Sequence, residues 1–379
     1  MNTLFFQRSG RTETASSSYQ GRRYLRFAFR FFLPEGAAMQ RFRVFSIVGR
    51  LVLAVLAIGF ASGRPASSSP AVPPVSDACD RTCLKGFADE YLSALAAHDP
   101  SRLQVTNDVK FTEDTAPLKL GDGLWQTITG VGTYRIDCIE PEAGEIASIN
   151  VIEENKLPAL MAVRLKVVNH KISEVETVVA RSQGEANNDI ESAHTDKLVR
   201  PDPLWGKDVP VSARPSREEM IATVNKYFDG IVASNGKSIP FASTAYRILN
   251  GSIDCNIEVA KNIQEDEGVD TKFDTLTCPD QIDTGMFKYV SAISPRRFLV
   301  VDRQKGLVLA LIRYNHPGNV LSIHLTDGTI QDMTTDSWGQ HPTSSIAAEL
   351  FQVRDGQIHR IWGVYTKMHY KNPVGWDNE

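Results

Sequence analysis

The strongest constraint on the fold is an internal repeat, because the second half of the chain restates patterns of the first. Residues 88–95 (ADEYLSAL) match residues 224–231 (VNKYFDGI) at an offset of 136 positions. Both segments space their apolar residues three and four apart, which is typical of an amphipathic helix. Each half of the chain is therefore predicted to begin with the same kind of helix.

A β-hairpin repeats further along the chain. Residues 165–175 match residues 351–361 at an offset of 186 positions, and each segment has two β-rich runs around a turn. The second turn is Asp355-Gly356, a favoured hairpin dipeptide. Each copy is therefore predicted to end in a long antiparallel hairpin.

The offset between the copies rises along the chain, which indicates two insertions in the second copy. It is 162 positions between residues 123–125 (GLW) and residues 285–287 (GMF), midway between the other two values. Each step corresponds to an insertion of about 25 residues, one between Cys255 and Cys278 and the other near 317–343. Long ordered insertions often carry function.

A helix followed by antiparallel strands, present twice, predicts an α+β fold in which helices pack on a curved antiparallel sheet. The runs 91–99 (YLSALAAHD) and 109–113 (VKFTE), with the terminal hairpin, resemble the SnoaL-like (nuclear transport factor 2-like) superfamily of cone-shaped domains. With the motifs LGDGLW at 120–125, EEN and PAL within 153–160, DTGMF at 283–287, NHPG at 315–318 and VGW at 374–376, the chain over about residues 79–379 resembles an uncharacterised family of secreted proteins with two such domains in tandem. The expected organisation is a first cone at 79–181, a Pro-rich linker at 182–215, and a second cone with two insertions at 216–379.

Residues 39–66 have the pattern of a signal peptide. Three arginines precede an apolar run at 51–61, and small residues follow at 61–63. This run of eleven residues is too short to cross a hydrocarbon core of ~30 Å, so cleavage and secretion are expected, with a membrane anchor as the alternative. The flanking segments are interpreted as a gene-model extension at 1–38 and a disordered, Ser- and Pro-rich leader at 67–78.

The charge distribution argues against a nucleic-acid-binding protein. Residues 1–66 contain ten Arg, no Lys and two acidic residues, so the rest of the chain carries 31 basic and 43 acidic side chains. A body this acidic lacks the basic face that nucleic acids require. The sequence also contains no Walker loop, GxSxG elbow or HExxH motif.

Secretion permits disulfide bonds, and the five cysteines are an odd number. Cys255 and Cys278 bracket a polar loop and are expected to form a disulfide. Cys79 and Cys83 lie one helical turn apart, which allows a second one. Cys138 falls in a predicted strand and is expected to be a buried free thiol. A zinc site is the competing interpretation, but no CxxC occurs and no His adjoins these cysteines, so no metal site is expected.

The resemblance implies an apolar pocket between the helices and the concave face of each sheet. Members of the superfamily include isomerases, polyketide cyclases, dehydratases and lyases that need no cofactor, as well as proteins that only bind ligands or assemble partners. In the enzymes, one or two pocket residues of the Asp, Glu, His or Tyr type perform acid–base chemistry.

The repeat singles out Glu349. In the first copy Met161, Val163 and Leu165 alternate as an apolar strand face, and Glu349 falls at the position that matches Val163. Burying a carboxylate opposes folding by several kcal/mol unless the group is paired or neutralised. Glu349 is therefore either a general base or ligand anchor in the second cone, or half of a buried salt bridge with Arg297.

Two residues are candidate proton partners of Glu349. His316 precedes the second insertion and is either an acid–base residue or a solvated turn histidine. Tyr227 lies on the apolar stripe of its helix, where its hydroxyl either faces the pocket or is satisfied within the core.

Four further residues of the second cone are candidate ligand contacts. Arg297 could bind an anionic ligand, although a structural ion pair is the alternative. Phe287 and Trp362 could line the pocket or belong to the core. Asp229 is either close to the ligand or an exposed helix acid.

These observations predict a secreted, cofactor-independent acid–base enzyme of isomerase, lyase or cyclase type, acting on a small apolar or aromatic metabolite. The second cone would be the working half. The alternatives are a non-catalytic secreted ligand-binding protein and a structural tandem-domain protein. The expected partner is a small molecule, and the expected state is a monomer whose two cones form an internal pseudo-dimer.

Overall fold

The computed structural model of the protein describes most of the chain from Cys79 onward. The described residues are 79–182, 193–195, 198, 200–261, 272–334 and 337–376. The predicted extension, signal peptide and leader lie outside them, as do parts of the linker and of the first insertion. Within the described residues, every helix is too short or too polar to span a membrane.

The first copy consists of a long helix followed by six strands. Helix α1 (Arg81–Ala96) begins at Asp80, whose side chain accepts a hydrogen bond from the backbone N–H of Cys83. Such a cap satisfies one of the free N–H groups of the first helical turn. The elements that follow are β1 (Val105–Glu113), β2 (Ala116–Leu118), α2 (Leu124–Thr127), β3 (Ile128–Glu140), β4 (Glu145–Glu154), β5 (Leu157–Val168) and β6 (Lys171–Arg181).

The second copy repeats this order and adds elements at the two predicted insertions. Helix α3 (Arg217–Ala233) starts with a capping box formed by Ser216 and Glu219. Its strands are β7 (Phe241–Leu249), β8 (Ser252–Cys255), β9 (Ala292–Asp302), β10 (Leu307–His316), β13 (Thr343–Arg354) and β14 (Gln357–His369). The insertions contain α4 (Ile257–Ala260) and α5 (Cys278–Asp283), and then β11 (Ser322–His324), β12 (Ile330–Asp332) and α6 (Ser337–Gln340).

The two main sheets have the same topology. The strand order is β2-β1-β6-β5-β4-β3 in the first and β8-β7-β14-β13-β10-β9 in the second. In both sheets the pairing is antiparallel except where the first long strand lies parallel to the last, in β1–β6 and β7–β14. The prediction of an α+β fold built twice from helices on an antiparallel sheet is confirmed.

Each sheet is buried on both faces. On one face, α1 covers the first sheet and α3 covers the second, and each forms its own apolar core. The opposite faces of the two sheets share a third core, in which the indole N–H of Trp362 donates to the hydroxyl of Tyr134 at 2.9 Å. Trp205 of the predicted linker is buried in this shared core, so the linker packs against the sheets at that point.

Both predicted disulfides are present. Cys79 pairs with Cys83, and Cys255 pairs with Cys278 across a separation of 23 residues. Cys138 of β3 is a buried free thiol. The second disulfide joins the end of β8 to the start of α5, so it fixes the first insertion to the sheet of the second cone.

Removing the Cys255–Cys278 bond is expected to lower the free energy of unfolding by ~3 kcal/mol, because reduction releases a long loop in the unfolded chain. Breaking the Cys79–Cys83 bond, which closes a far shorter loop, is expected to cost ~2 kcal/mol. Chemical denaturation of the double alanine variant of each pair measures both values. Equal losses for the two pairs would contradict this loop-length argument.

Candidate functional site

A cavity of about 210 Å³ lies within the second cone, between the helix layer and the sheet. Four predicted site residues, Tyr227, Phe287, His316 and Glu349, lie on its wall. The others that line it are Ile231, Arg247, Leu249, Asp254, Met286, Tyr289, Val290, Tyr314, Gln331, Ser345 and Tyr365. The structure therefore brings the predicted base, both of its predicted proton partners and one predicted apolar wall residue into one cavity.

Strand register allows the two cones to be compared position by position. Val163 lies between Ser148 and Thr177 on its neighbouring strands, and Glu349 lies between Ala310 and Gly363, which are the matching positions of the second sheet. The same register identifies four further pairs, all at positions that line the cavity in the second cone. The five pairs are Phe111 and Arg247, Ile152 and Tyr314, Ala159 and Ser345, Val163 and Glu349, and Val179 and Tyr365.

The comparison shows that the second cone has polar residues at positions where the first cone has apolar core residues. The first member of every pair is apolar and buried in the core of the first cone. The second member of every pair bears a hydroxyl, a carboxyl or a guanidinium group and borders the cavity. Burying so many polar groups opposes folding unless they are hydrogen-bonded, so a role in stability does not account for the set.

Glu349 is 2% exposed. Its Oε1 accepts a hydrogen bond of 2.8 Å from the hydroxyl of Tyr314, and its Oε2 has no hydrogen-bond partner among the described residues. Burial raises the pKa of Glu349 to about 7, although the hydrogen bond from Tyr314 and the charge of Arg247 act in the opposite direction. The carboxyl group is thus poised between its two protonation states near neutral pH.

The alternative of an ion pair between Glu349 and Arg297 is wrong. Arg297 lies on the face of β9 that meets the first cone, where its guanidinium binds both carboxylate oxygens of Glu176 at 2.7 and 3.1 Å. Gly363, opposite Glu349, leaves room for the carboxyl instead. A Cβ at this glycine would lie 2.7 Å from Leu249 Cδ2 and 3.4 Å from Glu349 Cγ.

Arg247 lies at one end of the cavity, the inner end, where its guanidinium is hydrogen-bonded to three other side chains. Its Nε donates to Asp254 Oδ2 at 2.5 Å, its Nη1 donates to the hydroxyl of Tyr227 at 3.1 Å, and its Nη2 donates to the side chain of Gln281. Burial lowers the pKa of Arg247, but the neighbouring carboxylate of Asp254 outweighs this effect and keeps the pKa above its ordinary value. Arg247 and Asp254 are therefore a buried, charged pair.

Tyr227 is buried at the middle of α3, and burial raises the pKa of its hydroxyl. The ring packs edge-on against Phe351 at 5.2 Å between centroids, which holds its orientation. Because the phenol oxygen accepts a hydrogen bond from Arg247, its own O–H remains able to donate to a ligand. The hydroxyl of Tyr227 is therefore positioned to act as a hydrogen-bond donor.

His316 is the last residue of β10 and is 3% exposed, so the alternative of a solvated turn histidine is wrong. Burial, together with the charge of Lys367, lowers the pKa of His316 to about 4. The imidazole is therefore neutral at pH 7. Its ring lies 5.4 Å from that of Tyr289, between centroids.

Three predicted ligand contacts lie outside the cavity. Trp362 points into the core shared by the two sheets. Asp229 is mostly exposed and pairs with Arg296 at 2.8 Å on the outer side of α3. Arg297 is committed to Glu176.

Sequence reasoning missed seven polar residues of the cavity. They are Arg247, Asp254, Tyr289, Tyr314, Gln331, Ser345 and Tyr365. The signal that could have found four of them is the repeat itself, since its offsets carry Phe111 to Arg247, Ile152 to Tyr314, Ala159 to Ser345 and Val179 to Tyr365.

One cluster has the residue types of a metal site. The sulfurs of Cys79 and Cys83 and a ring nitrogen of His170 lie within 4.8 Å of one another. Both sulfurs belong to the disulfide, which leaves them no thiolate charge to offer a metal ion. Within the cavity, Glu349, Asp254 and His316 do not form a cluster of this kind among the described residues.

One family model matches a part of the chain that contains most of the second cone. Residues 213–364 match the model of a domain of unknown function, DUF8021. No curated protein matches the chain.

Several solved structures are similar to part of the chain. A proposed polyketide cyclase from a Silicibacter species has 14% identity and a TM-score of 0.25, covering 39% of this chain and 90% of that one. A proposed isomerase from Bacillus subtilis has 15% identity and a TM-score of 0.24, with coverage of 39% and 87%. A proposed ketosteroid isomerase from Kribbella flavida has 12% identity and a TM-score of 0.22, with coverage of 43% and 88%. Scores this low do not define a function for this chain.

Proposed function

We propose that the second cone is a cofactor-independent acid–base catalyst of isomerase, lyase or cyclase type that acts on a small apolar or aromatic metabolite. The observation that carries this proposal is the replacement of five core residues of the first cone by polar residues around one cavity. The first cone serves as its structural mate. The two disulfides are consistent with a secreted protein.

Glu349 is the proposed general base. Its Oε2 has no hydrogen-bond partner among the described residues, so it is available to take a proton from a carbon acid in the cavity. A pKa of about 7 suits this role, because a base is most effective when its pKa lies near the working pH. Tyr314 holds the other oxygen and so fixes the plane of the carboxyl group.

Tyr227 is the proposed donor to the oxygen on which negative charge develops. Removing a proton beside a carbonyl group places charge on the carbonyl oxygen, and a fixed donor in a dry site stabilises that charge strongly. Arg247 binds the phenol oxygen at 3.1 Å and polarises its O–H bond. Tyr227 is preferred to His316 as the proton partner, because His316 lies opposite Thr343, six residues before Glu349 on β13.

The repeat provides a matched test of this role. We expect Tyr227→Phe to slow hydrogen–deuterium exchange at the α-carbon of 2-tetralone in D2O by about 10²-fold, the usual cost of removing one oxyanion donor. Tyr91→Phe alters the equivalent buried tyrosine of the first cone and should leave the exchange rate unchanged. NMR of the probe measures both rates.

The outcome also separates the proposal from its alternatives. If the wild-type protein binds 2-tetralone without accelerating its exchange, the cavity is a ligand-binding site and the catalytic proposal fails. Equal rate losses in the two tyrosine variants would point to a structural effect and would also contradict it.

A further inference from the structure

The cavity has a second polar end, the outer end, whose side chains take no part in the proposed chemistry. Ser345 lies four residues before Glu349 on β13, on the same face, so the two are about 13 Å apart along the strand. His316 and Gln331 line the cavity together with Ser345. Gln331 comes from β12 of the second insertion, which the first cone does not have.

Two polar atoms at this outer end have no hydrogen-bond partner among the described residues. They are the hydroxyl oxygen of Ser345, a side chain only 3% exposed, and Oε1 of Gln331. Buried hydroxyl groups are nearly always hydrogen-bonded, and leaving one unpaired opposes folding. The position that matches Ser345 in the first cone is Ala159, so the strand itself does not require a hydroxyl there.

The wall between the two polar ends is aromatic. The backbone of Tyr314 pairs with Ser345, yet its hydroxyl reaches Glu349, so its ring lies along the wall between the two ends. Phe287 and Tyr365 also line this cavity. A flat, apolar ligand body fits such a wall.

We propose that Ser345 and Gln331 form an outer subsite that selects ligands with a neutral hydrogen-bonding group, a hydroxyl or carbonyl, at the end opposite the reacting carbon. The inference rests on the proposed function and specifies its substrate class as a two-ended, flat molecule. The cavity-lining side chains at the outer end carry a hydroxyl, an amide and a neutral imidazole, which pair with neutral partners without the desolvation cost of a buried ion. Lys367, opposite Ser345 on β14, is close to this end but does not line the cavity.

Three naphthalene probes test the subsite by calorimetric titration. They are 2-naphthol with one polar end, 2,6-dihydroxynaphthalene with two, and 6-hydroxy-2-naphthoic acid with a carboxylate at the second end. The wild-type protein is expected to bind the diol about tenfold more tightly than 2-naphthol, the gain from one satisfied hydrogen bond. The carboxylate probe is expected to bind no more tightly than 2-naphthol.

Ser345→Ala installs the residue of the first cone and should reduce the preference for the diol to within about twofold. Gln331→Leu should reduce it as well. The matched control is Ser344→Ala, since the Ser344 hydroxyl donates to Asn315 at 3.0 Å and lies outside the cavity lining. This variant should keep the tenfold preference.

The inference is overturned if the diol and 2-naphthol bind the wild-type protein equally, or if Ser345→Ala keeps the preference. Tighter binding of the carboxylate probe would overturn the neutral-group assignment and implicate the charge of Lys367, which lies opposite Ser345 on β14 and lowers the pKa of His316. Failure of all three probes to bind would contradict the ligand cavity and, with it, the proposed function. If the wild-type protein prefers the diol but does not accelerate 2-tetralone exchange, the subsite is supported and only the catalytic proposal is contradicted.

Discussion

Replacing Glu349 by Gln is expected to lower the rate of 2-tetralone exchange by about 10³-fold, within the range usual for loss of a general base. Binding of 2-naphthol should stay within about threefold, because the amide keeps the size of the carboxyl group and can still accept the hydrogen bond from Tyr314. Exchange kinetics by NMR and calorimetric titration measure the two quantities separately. A loss of affinity without a loss of rate would identify Glu349 as a ligand anchor.

The pH dependence gives an independent check on the same residue. The basic form of Glu349 is the ionised one, so the exchange rate should rise with pH and level off above its pKa of about 7. A rate that stays flat between pH 5 and 9, well on either side of about 7, would contradict the assignment.

Glu349 should also make the stability of the protein depend on pH. Stability should fall as the pH rises, whereas the exchange rate should rise. Its pKa is raised from 4.5 to about 7 by folding, so its contribution to stability is complete below pH 4.5 and is lost as the pH rises through 7. The loss amounts to about 3 kcal/mol. Glu349→Gln should remove this slope, and Glu349→Val, which installs the residue of the first cone, should do the same. Denaturant titrations at several pH values compare the variants with the wild-type protein.

The repeat in the sequence predicted the fold because each copy could be checked against the other. The matching helices and hairpins defined the order of the elements, and the rising offsets located the two insertions. Glu349 stood out for the same reason, since a charged residue replaced Val163 on a face that had to be buried. No single-copy sequence would have offered that comparison.

Which face of a strand meets the cavity was harder to predict. Ten consecutive residues of β13 are buried, because one face meets the cavity and α3 while the other meets the core between the sheets. Alternation of polar and apolar residues fails as a guide when both faces are apolar. The sequence therefore leaves open whether Trp362 and Arg297 face the cavity or the other sheet, and partners such as Glu176 from the first cone depend on how the two sheets meet.

Arg247 shows why a charged core residue can be required for the site without favouring the fold. Its counterpart Phe111 packs in an apolar core, whereas Arg247 must be neutralised by Asp254 and further satisfied by Gln281 and Tyr227. A buried ion pair of this kind contributes little net stability, because desolvation offsets the attraction. Its presence is explained by its proposed action on the hydroxyl of Tyr227.

Arg247→Leu is accordingly expected to lower the free energy of unfolding by ~3–5 kcal/mol, because it leaves the carboxylate of Asp254 buried and unpaired. The double variant Arg247→Leu/Asp254→Leu should recover most of that loss, since an apolar pair of similar volume removes both desolvation costs. Arg296→Leu is the matched control, because Arg296 pairs with the mostly exposed Asp229 and should cost ~1 kcal/mol or less. Denaturant unfolding gives all three values. If the double variant is no more stable than Arg247→Leu, the guanidinium contributes through packing rather than through its charge, and its proposed action on the Tyr227 hydroxyl loses its basis.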